Sequence, residues 1–249
     1  MKFRFIIMAA GKGTRMGADV PKALVPVAGK PIIQRIYESV VGSEVDGKPI
    51  IVIGHERTRI CEGFKGECDY VIQEEQLGTA HAVMVCKDEV KDADAVIVLN
   101  GDHPLVSPGT LRKLAELHER VGGVLSMMTT TVPSFDEWPI YSHWGRVIRD
   151  AHGHIIAIRE FKDAMESERE VQEVNPSFFC FDGKWLWENI GQVKNFNANK
   201  EYYLTDLIEL AVAQGHEINS MSIAPEEAVG INTKAELEIA EKILEKQNA

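Results

Sequence analysis

Residues 2–24, KFRFIIMAAGKGTRMGADVPKAL, join a short apolar run to a loop that is rich in glycine and in basic side chains. The run is rich in β-formers and ends at glycine, which predicts a buried strand that feeds a loop. Glycines let a backbone turn its N–H groups toward a phosphate, and the three basic side chains of the loop add positive charge. Gly11, Gly13 and Gly17 form G-x-G-x-x-x-G, one residue longer than the dinucleotide motif, and no G-K-[ST] closes the loop. The stretch therefore predicts a phosphate-binding loop of a third kind.

The overall composition excludes several functional classes. The chain has 249 residues, 45% of them hydrophobic and 26% charged, as in ordinary globular proteins. Its net charge of −11 argues against nucleic-acid binding, which needs an extended basic surface. No apolar run approaches the ~18 residues of a membrane span, and no secretory signal pattern opens the chain. The four cysteines show no zinc-site spacing, so we expect a cytoplasmic protein with reduced thiols and no membrane contact.

Short apolar runs alternate with helical patterns along the first half of the chain. The predicted strands are KFRFIIMAAG (2–11), KPIIVIGH (48–55), YVIQ (70–73) and DAVIVLNGD (94–102). The predicted helices are KPIIQRIYESVV (30–41), residues 79–90 and SPGTLRKLAELHERVG (107–122). This alternation predicts an α/β fold with a Rossmann-like, open and mostly parallel sheet flanked by helices. Ligands of such sheets bind at the carboxyl ends of the strands, so the glycine-rich loop and the NGD turn should share one edge.

The second half of the chain is less regular but contains no repeat, low-complexity segment or linker. The predicted strands are GRVIRD (145–150), HIIAIRE (154–160) and PSFFCFDG (176–183), and the predicted helices are TDLIELAVAQG (205–215) and TKAELEIAEKILEK (233–246). Signals for helix starts are Pro31 at a first helical position, Ser107 and Thr205 as N-caps, and Thr233 with Glu236 as a capping box. We expect a single domain with an elaborated second lobe.

Several residues outside the loop are suited to a nucleotide. Asp102 ends the fourth predicted strand beside the phosphate loop, the usual place for a carboxylate that holds Mg²⁺. Gln73 carries both a donor and an acceptor and could read the edge of a base. Gly78 and Thr79 open a helix, where unpaired N–H groups are available. His81 is a candidate acid or base, and the alternative interpretation is a structural histidine on a helix face.

A series of motifs, taken in chain order, resembles one enzyme family. The motifs are AAGKGTRM…PKAL…GKPII, QLGTAHA, GDHPL, QEVN, EYYLTD and VGINT, and they extend over nearly the whole chain. Together they resemble the bacterial N-acetylglucosamine-1-phosphate uridylyltransferase domain, within the sugar-1-phosphate nucleotidyltransferases. The first motif is shared by that whole class, whereas QLGTAHA with EYYLTD is narrower. The resemblance implies a GT-A-like nucleotidyltransferase fold, with a nucleotide-binding half at roughly 1–125 and a smaller sugar-binding half at roughly 126–249.

The resemblance also implies roles for individual residues. The residues implied to bind and polarise the phosphates, as the catalytic pair, are Arg15 and Lys22. Those implied to contact the nucleotide are Met8, Ala9, Ala10, Gly11, Gly13, Gln73, Gly78 and Thr79. Those implied to contact the sugar are Asn100, Gly101, Gly145, Glu160 and Asn175. The implied ligands of a Mg²⁺ cofactor are Asp102 and Asn232.

The chain departs from the family pattern mainly near the implied sugar site. Asn100 and Trp144 stand where the family has Tyr, and Pro176 stands where it has Thr. Met8 occupies a position where the family prefers Leu, and PSFDEWPIYSHW (133–144) is an unusual segment leading to the same pocket.

The implied reaction transfers UMP from UTP to N-acetylglucosamine 1-phosphate, with Mg²⁺, and releases pyrophosphate. Alternatives are a nucleotidyltransferase for another sugar 1-phosphate or an alditol phosphate, using UTP, dTTP or CTP, and an inactive nucleotide-sensing subunit. Well-known members of the family carry an acetyltransferase domain of hexapeptide repeats, which are absent from these 249 residues, so acetyl transfer is not expected. The oligomeric state stays open.

Overall fold

The computed structural model describes residues 1–11, 20–54, 57–64 and 66–247. The strands are β1 (Phe3–Met8), β2 (Pro26–Val27), β3 (Lys30–Pro31), β4 (Ile50–Ile53), β5 (Asp69–Ile72), β6 (Ala95–Asn100), β7 (Leu125–Thr131), β8 (Arg146–Arg149), β9 (Ile155–Arg159), β10 (Glu173–Val174), β11 (Phe179–Asp182) and β12 (Asn219–Ser222). The α-helices are α1 (Ile32–Gly42), α2 (Arg57–Gly63), α3 (Thr79–Met84), α4 (Lys87–Val90), α5 (Pro108–Val121), α6 (Glu166–Arg169), α7 (Gly183–Asn189), α8 (Asp206–Ala213), α9 (Pro225–Ala228) and α10 (Lys234–Gln247). Short 3-10 turns lie at Lys22–Leu24, Pro139–Tyr141 and Ile190–Gln192.

The four strands predicted in the first half pair in parallel in the order β5-β4-β1-β6. The register sets Met8 opposite both Val52 and Asn100, so the carboxyl ends of the central strands coincide. The residues that follow β1, up to Gly11, and the Asn100–Asp102 turn therefore lie at one edge of the sheet. The predicted parallel sheet and the shared edge are both confirmed.

The same sheet continues into the second half of the chain. β11 pairs antiparallel with β6 and with β7, and β12 pairs in parallel with β7. From β7 a second, antiparallel arm follows in the order β10-β8-β9. The boundary expected between the two halves, near residues 125 and 126, falls at the first residue of β7. The two halves share one sheet because β11 pairs with β6.

Alternate side chains of the central strands pack into two apolar cores, one on each face of the sheet. Phe5 and Ile7 of β1 pack into the core that α1 and α5 cover, whereas Ile6 packs into the core formed with α3, α7 and α8. These side chains are fully buried, as expected for strands covered on both faces. No helix in the described part of the chain combines the length and apolar character needed to cross a bilayer.

The helix-start signals have different outcomes. The Thr110 N–H donates to Ser107 Oγ at 3.1 Å, which confirms the cap of α5. The cap predicted for α8 is wrong, because the Thr205 side chain makes no capping bond and instead donates to Glu160 Oε1 at 3.2 Å. Pro31 ends β3 and precedes the first residue of α1 rather than occupying it.

The predicted capping box at α10 is present in a shifted form. The Glu236 N–H donates to Thr233 Oγ1 at 3.3 Å, as the motif requires. The Glu236 carboxylate, however, accepts from the N–H of Asn232 at 2.6 Å, one residue before the cap. The box therefore also anchors the backbone of a candidate metal ligand.

His118 makes the stability of this fold depend on pH. His118 belongs to α5 and its ring is fully buried; Nδ1 lies 3.0 Å from Ser126 Oγ, while Nε2 has no partner among the described residues. Burial lowers the pKa of His118 below its ordinary value of 6.5, although Asp182 opposes the shift. Below that value the unfolded chain binds the proton more readily than the folded chain, so acidification favours unfolding.

We therefore expect the free energy of unfolding to fall as pH decreases below 6.5, by at most about 1.4 kcal/mol per pH unit from this group. Denaturant unfolding of wild type and His118→Gln across that range measures the slope, which should be shallower in the variant. His152→Gln, at an exposed histidine, should keep the wild-type slope. Equal slopes in wild type and His118→Gln would contradict the assignment.

Candidate active site

Three cavities open along the carboxyl edge of the parallel strands, and Asn100 lines all of them. The central cavity, about 160 Å³, is lined by Met8, Ala9, Gly11, Lys22, Ala23, Asn100, Gly101 and Asp102. The α3 cavity, about 220 Å³, is lined by Met8, Ala10, Gly11, Gln73, Gln76, Gly78, Thr79, Ala82, Asn100 and Glu201. The β8 cavity, about 180 Å³, is lined by Asn100, Asp102, His103, His143, Trp144, Gly145, Glu160, Asn175, Pro176, Ser177 and Asn232. The described residues predicted to contact nucleotide, phosphate and sugar thus line three adjoining spaces, although Asn100 lines all three and Gly101, predicted for the sugar, lines the central cavity.

Close contact between the ends of β1 and β6 shapes the central cavity. The Gly101 N–H donates to the Met8 carbonyl at 2.9 Å. A Cβ on Gly101 would lie 2.7 Å from that same carbonyl oxygen and 3.1 Å from Ala9 Cα. Only glycine lets the two turns approach this closely without displacing backbone.

The α3 cavity is built where the α3 turn meets the segment before α8. Gly78 has φ of 119°, and a Cβ there would lie 2.6 Å from the Tyr202 carbonyl oxygen. That carbonyl accepts from the Ala80 N–H at 2.9 Å, and Thr79 Oγ1 accepts from the Leu204 N–H at 2.9 Å. The Thr79 hydroxyl oxygen therefore has a partner within the protein. Glycine is required at position 78 by its backbone conformation and by the nearby Tyr202 carbonyl, whether or not a ligand binds there.

Gln73 has its amide orientation fixed by two neighbours. Its Nε2 donates to the Gly78 carbonyl at 3.2 Å and lies 3.1 Å from His81 Nδ1. A carbonyl oxygen can only accept, so Nε2 must face it, and Oε1 is left as the acceptor. His81 therefore orients Gln73, which favours the structural interpretation of this histidine.

Lys22, Asp102 and Asn232 meet at one point between the central and β8 cavities. Lys22 Nζ donates to Asp102 Oδ2 at 2.6 Å and to Asn232 Oδ1 at 2.7 Å. Burial by itself would raise the pKa of the Asp102 carboxyl, but the Lys22 ammonium and the His103 ring outweigh it and hold the pKa below its ordinary value. The two oxygens predicted to hold Mg²⁺ thus converge on a single cation, although 210 positions separate Lys22 from Asn232.

This donor set fits a hard divalent cation. Mg²⁺ needs few protein oxygens, because it keeps several waters and takes phosphate oxygens from its substrate. The described residues contain no cluster of three or more His, Cys, Asp or Glu that could hold a metal. The protein would contribute two ligands to such an ion, the Asp102 carboxylate and the Asn232 amide oxygen. These oxygens already lie 2.6 and 2.7 Å from the Lys22 ammonium.

His103 is a buried neighbour of Asp102 to which the sequence reasoning assigned no role. Its Nε2 lies 3.1 Å from Asp102 Oδ1, and its Nδ1 lies 2.9 Å from the Ala228 carbonyl. Burial lowers the pKa of His103, against the raising effect of Asp102. The only sequence signal was a histidine directly after the carboxylate in GDHPL.

The β8 cavity brings together the predicted sugar-binding residues Gly145, Glu160 and Asn175. Burial raises the pKa of Glu160, although the hydrogen bond from Thr205 opposes the shift. The Asn175 side chain accepts from the Ser177 N–H at 2.8 Å, and its N–H₂ group lies 3.3 Å from the Ser177 hydroxyl. Asn175 therefore reaches the cavity as part of a rigid local turn.

The unusual segment 133–144 forms one wall of the β8 cavity through a buried arginine. Arg146, 1% exposed, donates to the carbonyls of Ser142 at 2.8 Å and Trp144 at 2.5 Å. Its guanidinium also lies 4.4 Å from the centre of the Phe135 ring. Arg146 thus holds the segment in place, and Trp144 turns its indole against His103 at a centroid distance of 5.4 Å.

Comparisons with known proteins assign the chain to a family. The family model described as the MobA-like NTP transferase domain matches residues 5–161. The chain belongs to this family. The bifunctional protein GlmU of Geobacillus thermodenitrificans is 38% identical over 242 residues, covering 96% of this chain and 51% of that protein. The GlmU of Desulfotalea psychrophila is 37% identical over 242 residues, covering 96% of this chain and 69% of that protein.

The chain spans about half the length of the Geobacillus GlmU. Among solved structures, a UDP-glucose pyrophosphorylase complexed with UDP-glucose superposes with a TM-score of 0.81 at 16% identity, over 99% of this chain and all of that one. This likeness confirms the GT-A-like nucleotidyltransferase fold that the motifs implied.

Two predicted site residues of this NTP transferase domain, Gly13 and Arg15, lie outside the described residues, as does Lys12. Their roles remain predictions. Gly11, the last described residue before them, lines both the central and the α3 cavity.

Gly101→Ala should destabilise the NTP transferase domain, because the added Cβ would overlap the Met8 carbonyl rather than a side chain that can move. Overpacking of this kind costs about 1–3 kcal/mol. Denaturant unfolding without ligands measures the loss. Gly11→Ala is the matched control, since a Cβ there meets nothing within 4 Å among the described atoms. A Gly101→Ala protein as stable as Gly11→Ala would count against the close approach of β1 and β6.

Proposed function

We propose that this chain transfers UMP from UTP to N-acetylglucosamine 1-phosphate, forming UDP-N-acetylglucosamine and pyrophosphate. The observation that carries the proposal is the convergence of Lys22, Asp102 and Asn232 between two cavities at the carboxyl edge of the sheet. Membership of the NTP transferase family, the similarity to proteins named GlmU and the motif series support it.

The reaction is an in-line displacement at the α-phosphorus of UTP. An oxygen of the sugar phosphate forms the new bond, the bond to the β-phosphate oxygen breaks, and pyrophosphate leaves. The attacking phosphate is already ionised at neutral pH, so no general base has to remove a proton. The protein's task is positioning and charge neutralisation, which the cations and N–H groups of the central cavity can perform. Arg15 and Lys22 are the proposed phosphate-binding pair.

Asp102 and Asn232 are the proposed holders of Mg²⁺. When bound, the ion supplies positive charge to the phosphate oxygens as negative charge moves toward the leaving pyrophosphate. Asp102 stays ionised because its pKa lies below the ordinary value, so its oxygens are available to a cation at neutral pH.

The α3 cavity is the proposed uracil site. Uracil presents an N3–H donor, which the free acceptor Oε1 of Gln73 can receive, whereas cytosine presents an acceptor at the same ring position. His81 and the Gly78 carbonyl prevent the amide from turning over to suit cytosine.

The β8 cavity is the proposed acceptor site, with Gly145, Glu160 and Asn175 as sugar contacts. Its lining comes mainly from the second half of the chain, with Asn100, Asp102 and His103 contributed by the first half. Conversely, Glu201 of the second half lines the α3 cavity. We therefore propose one catalytic domain across residues 1–249, with a nucleotide-binding half and a sugar-binding half whose sites interlock.

Pyrophosphate release from a panel of UTP, dTTP, CTP and ATP against sugar and alditol phosphates tests the proposal. The highest kcat/KM should belong to UTP with N-acetylglucosamine 1-phosphate, in the presence of Mg²⁺. A higher value with glucose 1-phosphate would overturn the sugar assignment and keep the reaction class. Release with no pair in the panel would favour the nucleotide-sensing alternative.

Gln73→Leu should lower the preference for UTP over CTP about tenfold, since one acceptor for a base N–H is lost. The ratio of the two kcat/KM values measures the effect. Gln76→Leu is the matched control, because Gln76 lines the same cavity and, among the described residues, its side chain donates to the Gln73 carbonyl alone. An unchanged ratio in Gln73→Leu would remove this residue from base recognition.

A further inference from the structure

The Lys22 ammonium lies where the proposed metal would have to bind. Its Nζ is within 2.7 Å of both Asp102 Oδ2 and Asn232 Oδ1, the two oxygens expected to take Mg²⁺. The side chains of Lys22 and Asp102 are only 14% and 18% exposed. A metal ion bound to this same pair of oxygens would lie close to the ammonium and be repelled by it, so metal binding at this point favours departure of the ammonium.

A positive charge is needed at this point whether or not a metal is present. The Asp102 side chain is only 18% exposed, and a carboxylate without a positive partner in that position would be strongly destabilising. Its second oxygen, Oδ1, is buried and forms no hydrogen bond of good geometry among the described residues, although His103 Nε2 lies 3.1 Å from it. The Lys22 ammonium therefore neutralises the site in the ligand-free protein.

Lys22 is also placed to move away without any change of the backbone. It begins the Lys22–Leu24 turn. In this turn the Leu24 N–H donates to the Pro21 carbonyl at 2.8 Å, and the Val25 N–H donates to the Lys22 carbonyl at 3.1 Å. The turn fixes the Cα, whereas the four-carbon stem is flexible. The same side chain lines the central cavity, the proposed site of the triphosphate, so phosphate oxygens are an alternative partner for the ammonium within its reach.

We propose that Lys22 is a placeholder for the metal: it occupies the cation position in the free protein and transfers to the phosphates when a divalent ion arrives with the nucleotide. This inference rests on the proposed function for the identity of the two ligands. It follows that the free protein binds a divalent ion weakly, because the ion must first displace an ammonium. A permanent Lys22–Asp102 ion pair, with the metal held elsewhere, is the competing arrangement and gives the opposite results below.

The experiment measures Mn²⁺ binding to the nucleotide-free protein by electron paramagnetic resonance of the unbound ion. Lys22→Met removes the ammonium and should bind Mn²⁺ at least tenfold more tightly than wild type, because Asp102 and Asn232 are then free. Lys22→Gln is a second neutral variant that carries the test if Lys22→Met does not fold. Lys30→Met is the control, since the Lys30 ammonium pairs with Glu38 at 2.5 Å and has no contact with the site. Asp102→Asn should abolish the tight binding when combined with Lys22→Met.

Thermal unfolding gives a second readout that needs no activity. In chelator, Lys22→Met should melt below wild type, and added Mg²⁺ should restore its Tm while changing that of wild type little. Equal or weaker Mn²⁺ binding by both neutral variants, or a Tm that Mg²⁺ does not restore, would overturn the placeholder role. Failure of the proposed function is distinguishable, because it appears as absent pyrophosphate release by wild type while the difference in metal binding persists.

Discussion

The parallel pairing of β1 with β6 is the constraint on which the candidate site depends. It sets Met8 opposite Asn100, and the hydrogen bond from Gly101 to Met8 locks the two strand ends together. The residues after β1, up to Gly11, and the turn after β6, which contains Asp102, therefore begin at the same edge of the sheet. A slip of one residue in this register would reverse the faces of β1 and carry Ile6 into the wrong core. The apolar cores therefore determine the geometry of the polar edge.

Local sequence patterns predicted most of the regular elements of the first half of the chain and fewer of those in the second half. The β-branched runs at β4 and β6 and the amphipathic pattern of α5, with its Ser107 cap, are short-range signals, and the structure confirms them. Thr205 shows the limit of such signals. Its hydroxyl could cap α8 or serve a tertiary partner, and only the fold brings Glu160 close enough to decide between the two.

The residues of the candidate site differ in how much of their role the sequence alone could predict. Asp102 could be placed from its strand alone, because the end of a parallel strand is a fixed position in this type of fold. Asn232 was expected only through the motif resemblance, since nothing local distinguishes it from an ordinary loop amide. The contact of Lys22 with both residues could not be foreseen, because it joins three segments that are distant in the chain. His103 was missed for a similar reason, as burial beside Asp102 is a property of the tertiary structure.

The segment from Tyr202 to Thr205 links the two outer cavities by a few consecutive residues. Tyr202 and Leu204 are bonded to the α3 turn at one end, and Thr205 is bonded to Glu160 at the other. A movement of the α3 turn would therefore reach Glu160 through four consecutive residues. Under the proposed function, this connection would tie the preference for the base to the preference for the acceptor. Divergence toward a new nucleotide sugar would then be expected to involve this segment as well as the two pockets.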